Sequence, residues 1–426
     1  MKKTTVRRRA YALVCALLLA LLPVWAGAET AVPVDYAACV QPDMASDTLK
    51  TPVTVATFVD GDTTHFLLPE GVMEKRVISG RYLAVNTPES TGKIEEYGRA
   101  ASRYTREKLE NAAAILIESD DAQWNLDTNG TRYLVWVWYR PADEEAYRNL
   151  NIELLQTGLA KANSSAQNRY GETCMAAIAQ AKSQKLGIYS GQRDPDFYYG
   201  DAIELTLREL RLHPEQYENK KVACEGVITM NSGNSVYVEA LDPESGLCFG
   251  MPVYYGFNLS GGGMEVLHVG NKARIVGTLQ FYEAGGEYQL SGLTYRMMKP
   301  DDPGNIRKLG EGFAPVCAEI DLDELLNGSV QIIGEDDIAS YDRGLVALAT
   351  SVTLDGLTVE KVTADGNGAI LSCVSEGNTI AVLASGPLPA DEWTDRVISV
   401  RGVVTLRDGQ YQIKAFTPDG LAILPE

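Results

Sequence analysis

The chain has 426 residues, and its composition, 45% hydrophobic and 22% charged, is that of a globular protein with about two to four domains. The formal net charge of −19 argues against a protein that coats polyanions along a broad basic surface, because its long-range field repels them. Any phosphate-binding site would therefore need local arginines and a bound cation.

Residues 1–28 are predicted to be a secretory signal peptide. A basic stretch, Lys2 to Arg9, precedes an apolar run, Ala10 to Trp25, and a small-residue cleavage motif at residues 26–28. The apolar run is short for a bilayer span of about 20 residues, which favours cleavage over an uncleaved membrane anchor. We therefore expect a secreted, extracellular protein with no stable membrane insertion after cleavage.

The cysteine count leaves the redox state of the mature chain open. An even number of cysteines in an exported protein permits three disulfides, and buried free thiols are the alternative. The six cysteines after the leader are Cys39, Cys174, Cys224, Cys248, Cys317 and Cys373.

The first part of the mature chain alternates strands and helices. Residues 29–50 show little periodicity and predict an extended N-terminal segment. Alternation from Thr51 to about Glu89 predicts strand, turn, strand and strand, and the period of Glu95 to Asn111 predicts an amphipathic helix. Two more strands and two more helices are predicted at 115–118, 133–139, 151–158 and 172–185. This part is predicted to be one domain, 51–192.

Strands dominate the remainder, which is predicted to form two domains, 193–304 and 305–426. A strand with a central glycine followed by a short hairpin occurs in both, at 271–290 and at 395–413. Such a glycine often marks a bulge or a bend at a barrel corner. The pattern predicts two five-stranded barrels of the OB type, with two unrelated β-sandwiches as the alternative.

The stretch from Val53 to Glu89 carries the residues with the clearest chemistry. Asp60 and Asp62 flank a glycine after the first predicted strand, and Arg81, Asn86 and Glu89 follow at later strand ends. Oxygen ligands of this kind suit a hard divalent cation, and a guanidinium suits a phosphate. Singly, these residues are more often turn and surface residues; their joint occurrence points to a site.

The segment from Val53 to Ser190, about a third of the chain, resembles the staphylococcal nuclease (thermonuclease) family. The resemblance implies a nuclease-type OB barrel with helices packed on it. The predicted fold class is therefore mainly β with helices: an α+β nuclease OB barrel and two further all-β OB-like barrels. The matching motifs occur in family order at Val59–Thr63, Arg81–Glu89, Ile94–Ala112, Thr131–Trp138, Leu154–Lys161 and Ala177–Ser190.

The resemblance implies a calcium site. Proteins of this family hydrolyse phosphodiester bonds of DNA and RNA and depend on calcium. By the match, Asp62, the side chain of Asn86 and the carbonyl of Thr87 would bind Ca²⁺. Asp60 would lie behind them and orient a ligand or a water molecule.

The resemblance also implies three catalytic residues. Arg81 and Arg132 match the arginines that hold the phosphate and stabilise the charge of the transition state. Glu89 matches the general base that activates the attacking water. The implied substrate is DNA or RNA.

Three departures from the family pattern weaken this inference. Asn86 stands where the family has a calcium-binding aspartate, so one negative charge is lost and calcium should bind more weakly. Arg132 matches only after a one-residue shift in the loop before its strand. The family's substrate-binding tyrosine is missing after Lys161, and Tyr170 is a candidate substitute.

The sequence therefore predicts a secreted, calcium-dependent nuclease with low sequence specificity. The rival hypothesis is a catalytically weak or inactive nuclease-like binding protein at the cell surface, and a third is a structural cell-surface spacer. Tyr254, Tyr255 and Phe257 form an aromatic cluster in the second domain. Because basic residues are sparse there, we expect core packing or contact with a protein or sugar rather than with DNA.

Overall fold

Three closed five-stranded barrels follow one another in the computed structural model, which describes residues 32–256, 259–283, 285–333 and 338–425. The predicted signal peptide and Phe257 lie outside the described residues. Among the helices that the structure does describe, none combines the length and apolar character needed to cross a bilayer.

The first barrel is built from β1, β2, β3, β5 and β6 and is closed by a parallel pairing of β3 with β6. Its helices pack on the outside of this sheet. The strands are β1 Lys50–Asp60, β2 Thr63–Leu67, β3 Val77–Tyr82, β4 Val85–Asn86, β5 Ala112–Glu118, β6 Tyr133–Pro141, β7 Arg148–Asn149 and β8 Lys161–Ala162. The helices are α1 Gly98–Glu110, α2 Leu150–Gln156 and α3 Gly171–Ser183, with 3₁₀ turns at Ser165–Gln167 and Gly187–Tyr189.

The second barrel contains β10 to β14 and is closed by pairing of β10 with β13. Two short strands, β9 and β15, extend its sheet. The strands are β9 Ile203–Glu204, β10 Lys221–Ser232, β11 Ser235–Leu241, β12 Cys248–Tyr254, β13 Lys272–Tyr282, β14 Glu287–Ser291 and β15 Arg307–Gly310. The helices are α4 Leu207–Leu212, α5 Pro214–Tyr217 and α6 Gly262–Val266.

The third barrel contains β19 to β23 and is closed by pairing of β19 with β22. A separate hairpin, β17–β18, precedes it. The strands are β16 Ala318–Glu319, β17 Ser329–Ile333, β18 Ile338–Asp342, β19 Ser351–Asp365, β20 Gly368–Ser375, β21 Asn378–Ala384, β22 Val397–Arg407, β23 Gln410–Ala415 and β24 Leu421–Ile423. The helices are α7 Leu322–Asn327, α8 Arg343–Ala347 and α9 Ala390–Trp393.

The three barrels share one connectivity. In each, the first three strands form a meander, the third pairs in parallel with the last, and the fourth pairs back with the first. A helix joins the third strand to the fourth in every case: α1, α6 and α9. The predicted fold class, an OB barrel with helices followed by two all-β OB-like barrels, is thereby confirmed, and the β-sandwich alternative is wrong.

Burial explains why β6 reads as a continuous apolar run rather than an alternation. Trp136 and Trp138 point to one face and Val135 and Val137 to the other, and all four side chains are fully buried. One face fills the barrel and the other is covered by packed elements, so both favour apolar side chains. Two large indoles buried in one strand contribute several kcal/mol of hydrophobic stabilisation, about 2 kcal/mol or more each.

The repeated mid-strand glycines have a different cause from the one expected. Gly277 pairs with Val222 and Gly402 pairs with Ala415 in regular register, without a bulge at either position. A Cβ at Gly277 would lie 2.8 Å from the carbonyl oxygen of Ser291, and one at Gly402 would lie 2.3 Å from that of Lys414. Both glycines therefore permit a close approach of the neighbouring strand.

The predicted domain boundaries remain predictions, since residues 36–426 form a single unit. Strand β15 pairs with β13, so the sheet of the second barrel continues past residue 304. The second and third barrels also share buried polar contacts: Glu239, on β11, accepts hydrogen bonds from the backbone N–H groups of Val316 and Ser351 at 2.8 and 2.6 Å. The structure pairs none of the six described cysteines in a disulfide, and four of them are buried.

A pH dependence of stability is expected from Glu287, near the start of β14. Burial raises the pKa of its carboxyl from 4.5 to about 7, against the opposing charge of Arg211. The unfolded chain releases this proton near pH 4.5 and the folded chain near pH 7, so stability should fall as pH rises between these values. Glu287→Gln should remove this slope. The free energy of unfolding of the variant minus that of the wild type should therefore be about 1–3 kcal/mol larger at pH 8 than at pH 5.

Urea unfolding of both proteins at the two pH values measures this difference. Glu360→Gln, at an exposed position of β19, is the control for loss of an acid. An identical pH slope in wild type and Glu287→Gln would rule out this assignment.

Candidate active site

The site is organised around the tight turn between β1 and β2, Asp60–Gly61–Asp62–Thr63. A Cβ at Gly61 would lie 2.8 Å from the Cβ of Ala101 and 2.9 Å from Oγ1 of Thr87, so a side chain has no room there. The hydroxyl of Thr105 donates to the carbonyl of Gly61 at 2.6 Å. Helix α1 therefore fixes this turn from behind, and the two aspartates are held in place by its packing.

Asp62 is fully buried, and its carboxylate has partners from two later segments of the chain. Its Oδ1 forms an ion pair with Arg81, and its Oδ2 accepts the backbone N–H of Thr87 at 2.7 Å. The antiparallel register of β2 and β3, with Thr63 opposite Arg81, brings the first pair together. Burial raises the pKa of the Asp62 carboxyl, and the guanidinium of Arg81 opposes that rise.

Arg81 connects Asp62 to Asn86. While one terminal nitrogen of its guanidinium binds Asp62, the other donates to Oδ1 of Asn86 at 2.5 Å. The Arg81 side chain is 13% exposed, and Asn86 is at the surface. Asp62 and Asn86 thus both bind Arg81, and Thr87 reaches Asp62 through its N–H rather than through the carbonyl that the sequence assigned to the cation.

Asp60 has a separate set of contacts. Its Oδ1 accepts hydrogen bonds from the hydroxyl of Ser90 at 2.7 Å and from the backbone N–H groups of Ser90 and Gly61. Burial, with smaller contributions from the charges of Asp62 and Glu89, raises the pKa of Asp60 to about 8. Asp60 therefore anchors the segment that carries Glu89.

Glu89 is exposed at the rim of the site. Two contacts fix its backbone carbonyl. The carbonyl oxygen accepts the N–H of Glu95 at 2.8 Å, and a Cβ at position 98 would lie only 2.1 Å from the same oxygen. The glycine at the start of α1 is required by this contact. The carboxylate is thus presented to solvent from a rigid backbone.

Arg132 is placed near Arg81 by the sheet but is held by its own loop. β3 and β6 pair in parallel with Gly80 opposite Tyr133, so Arg132 falls on the same face as Arg81, with Cα atoms about 8 Å apart at standard strand spacings. Its Nε donates to Oδ2 of Asp127 at 2.8 Å. In this structure the guanidinium is therefore bound through Nε to an aspartate of its own loop.

The donor set fits an oxygen-coordinated cation of low affinity. The side-chain oxygens of Asp62 and Asn86 already converge on a positive group, Arg81. Hard cations such as Ca²⁺ prefer carboxylate and amide oxygens of this kind. The described residues hold no cluster of three or more His, Cys, Asp or Glu side chains suited to a metal. A cation would therefore meet one buried carboxylate and compete with Arg81 for it.

Tyr170 does not replace the missing substrate-binding tyrosine. Its ring packs edge-on against Trp136 and Trp138, with centroids 4.9 and 5.5 Å away, and its hydroxyl donates to Glu118 at 3.1 Å. Glu118 pairs with Lys50, at the opposite end of β1 from Asp60. The suggestion that Tyr170 contacts substrate is therefore wrong, since the residue belongs to the far end of the barrel.

Sequence reasoning missed the residues that support the site from behind. Gly98, Ala101 and Thr105 share one buried face of α1 and contact the Glu89 segment or the Gly61 turn. Their spacing of three and four residues is the available sequence signal, because it places small side chains on one helical face. Ser90 and its partner Gln280, in the second barrel, had no such signal.

Residues 80–191 match the family model described as Staphylococcal nuclease homologue. This segment is a staphylococcal nuclease-like domain. The match contains Arg81, Asn86, Glu89 and Arg132, whereas Asp60 and Asp62 precede it. Most of the cluster therefore lies within the matched segment. The turn between β1 and β2, which belongs to the same barrel, adds Asp60 and Asp62. At the level of this family, the function indicated is that of a nuclease-like enzyme that binds nucleic acid.

Proposed function

We propose that the nuclease-like domain hydrolyses phosphodiester bonds of DNA or RNA with calcium and with little sequence preference. The observation that carries this proposal is the convergence of Asp62 and Asn86 on Arg81, with the N–H of Thr87 bound to Asp62 and Glu89 exposed on the adjacent fixed segment. An anion-binding arginine, oxygen ligands and an accessible carboxylate are the groups that this hydrolysis needs.

Arg81 is assigned the binding of the phosphate. Its planar guanidinium presents several N–H donors in a geometry that matches two phosphate oxygens. In the described structure these donors hold Asp62 and Asn86. A phosphate at the mouth of the site would accept from the same group, and Arg132, on the same face, would add a second guanidinium after release from Asp127.

Glu89 is assigned the role of general base. An exposed carboxylate on a backbone fixed by Glu95 and Gly98 is able to take a proton from water at a constant position. The contact between Asp60 and Ser90 prevents the segment from drifting away from Arg81. Calcium bound by Asp62 and Asn86 would supply positive charge beside the phosphate as negative charge develops.

Substrate choice and cellular location are proposed from the sequence. The motifs contain no side chains assigned to base edges, so discrimination would rest on the backbone and its flexibility. The predicted leader at residues 1–28 supports export, so the proposed substrates are extracellular nucleic acids.

A nuclease-like binding protein of low or absent activity is the second candidate. It is favoured by the neutral Asn86 and by the closed contact that Arg81 makes with both Asp62 and Asn86. In that case Arg81 would act as a permanent substitute for the cation, and the domain would serve as a scaffold.

Cleavage of single-stranded DNA with added calcium, and again with EDTA, separates the two candidates. The purified chain lacking residues 1–28 should release shorter products with calcium, and chelation should stop the reaction. A folded protein that leaves the DNA intact at millimolar calcium would exclude the nuclease and leave the binding protein.

Asn86→Asp is expected to raise calcium affinity by about tenfold or more. The substitution restores a second carboxylate to the donor set, and this carboxylate competes with Asp62 for Arg81. Isothermal titration with calcium in the absence of DNA measures this directly. Asn163→Asp, in the neighbouring loop, is a control for general acidity. Equal affinities in wild type and Asn86→Asp would show that residue 86 does not contact the cation.

A further inference from the structure

A cleft of about 480 Å³ lies between the segment that follows Glu89 and the second barrel. Glu89 itself lines one end, and Gly92 and Lys93 continue that wall. Tyr254 and Tyr295 line the opposite wall. The volume is in the range of small-ligand sites, which suits one or two nucleotide units.

The two walls are fixed to each other by specific contacts. The side-chain amide of Gln280 donates to the carbonyl of Ser90 at 3.0 Å, and a Cβ at Gly292 would lie 2.7 Å from the carbonyl oxygen of Gly92. Arg106, on α1, donates to Glu283 at 2.6 Å. Since Ser90 also binds Asp60, the second barrel holds both the cleft and the Glu89 segment in position.

Beside the carboxylate of Glu89, the cleft exposes an aromatic ring and two cationic side chains. The Tyr295 side chain is 37% exposed, and its ring lies against Gly262, where a Cβ would be 2.9 Å from Cε1. Arg296 and Lys93 side chains are 59% and 70% exposed and make ion pairs only at the surface, with Asp302 and Glu95. Fixed tyrosine rings with nearby cations are the arrangement that stacks unpaired bases and contacts their phosphates.

We propose that this cleft binds unpaired nucleotides of the strand whose phosphodiester bond lies at Glu89. The inference rests on the proposed nuclease function and specifies its substrate as single-stranded nucleic acid. A duplex keeps its bases paired and stacked, so they are unavailable to Tyr254 and Tyr295. The sequence alone favoured core packing or a protein or sugar contact for these aromatics; their position beside Glu89 and two cations favours nucleic acid.

Binding of a fluorescent oligothymidine of about ten nucleotides, measured by anisotropy in EDTA, tests the cleft without cleavage. Tyr295→Ala should weaken binding by about tenfold, within the range for loss of one stacked base, whereas Tyr295→Phe keeps the ring and should bind within about twofold of wild type. Replacing both Lys93 and Arg296 by alanine should make the slope of log K against log salt concentration shallower by about 1, as expected for the loss of one to two phosphate contacts.

Phe313→Ala is the matched control, because Phe313 is 45% exposed and does not line the cleft. Equal affinity of wild type and Tyr295→Ala, equal loss in Phe313→Ala, or tighter binding of a duplex of the same length would each overturn the proposal. Hydrolysis of bis(p-nitrophenyl) phosphate by the wild type, a phosphodiester that carries no nucleobase, separates the two proposals. If the wild type hydrolyses it and Tyr295→Ala binds oligothymidine as tightly as the wild type, the nuclease function stands and the cleft assignment fails.

Discussion

Glu89→Gln is expected to reduce the rate of phosphodiester cleavage by about 10²–10⁴-fold, because glutamine keeps the shape of the side chain but cannot accept a proton from water. The carboxylate of Glu89 is exposed, so the substitution removes no buried contact and the fold should be unaffected. Initial rates on single-stranded DNA at saturating calcium, with circular dichroism as a check of folding, measure the effect. Oligonucleotide affinity should change far less than the rate.

Glu95→Gln is the matched control for this experiment. Glu95 lies in the same loop, pairs with Lys93 at the surface and accepts the backbone N–H of Glu89 at 3.4 Å. It therefore reports any effect of removing a nearby negative charge or of loosening the loop. Comparable rates for the two variants, or full activity of Glu89→Gln, would remove Glu89 from the reaction.

Arg81→Ala is expected to abolish cleavage and to lower the free energy of unfolding by about 3 kcal/mol. The reason for the second effect is that Asp62 is fully buried and would lose its counter-charge, which is costly when only one partner of a buried pair is removed. Guanidinium chloride unfolding at pH 7 gives the stability change, and the DNA assay gives the activity.

A double variant separates the two effects. Arg81→Ala with Asp62→Asn replaces the uncompensated carboxylate by a neutral amide and should recover much of the lost stability without recovering cleavage. Arg81→Lys keeps a charge but lacks the planar fork, so it should be more stable than Arg81→Ala and remain a poor catalyst. If Arg81→Ala unfolds at the same denaturant concentration as wild type, the buried pair has no structural role.

Much of the architecture was predictable because the local patterns are strong. The amphipathic helix predicted at 95–111 is observed at 98–110, and the strand and hairpin predicted at 271–290 are observed as β13 Lys272–Tyr282 and β14 Glu287–Ser291. Alternation and helical periodicity can be read from a short window of sequence, because the side-chain period of each element sets which residues share a face. The repeated hairpin at 271–290 and 395–413 likewise indicated two barrels of one type.

Contacts between distant segments were the part that the sequence did not reveal. Tyr170 was a plausible substrate contact by position, yet it packs between the indoles of β6. The mid-strand glycines Gly277 and Gly402 were expected at bends and instead lie against a neighbouring carbonyl. In both cases the deciding neighbour is on another strand, and its register is set only when the barrel closes.

For the site on the Val53–Glu89 stretch, the sequence by itself determined which chemical groups are present: two aspartates, an arginine, an asparagine and a glutamate in the order typical of the family. Only the tertiary structure decided how they are used. It buries Asp62 against Arg81, lets that arginine reach Asn86, and attaches Asp60 through Ser90 to Gln280 of the second barrel. The physical reason is that residue type fixes charge and donor chemistry, whereas burial and partner choice depend on strand pairing and barrel packing across up to 190 positions of the chain.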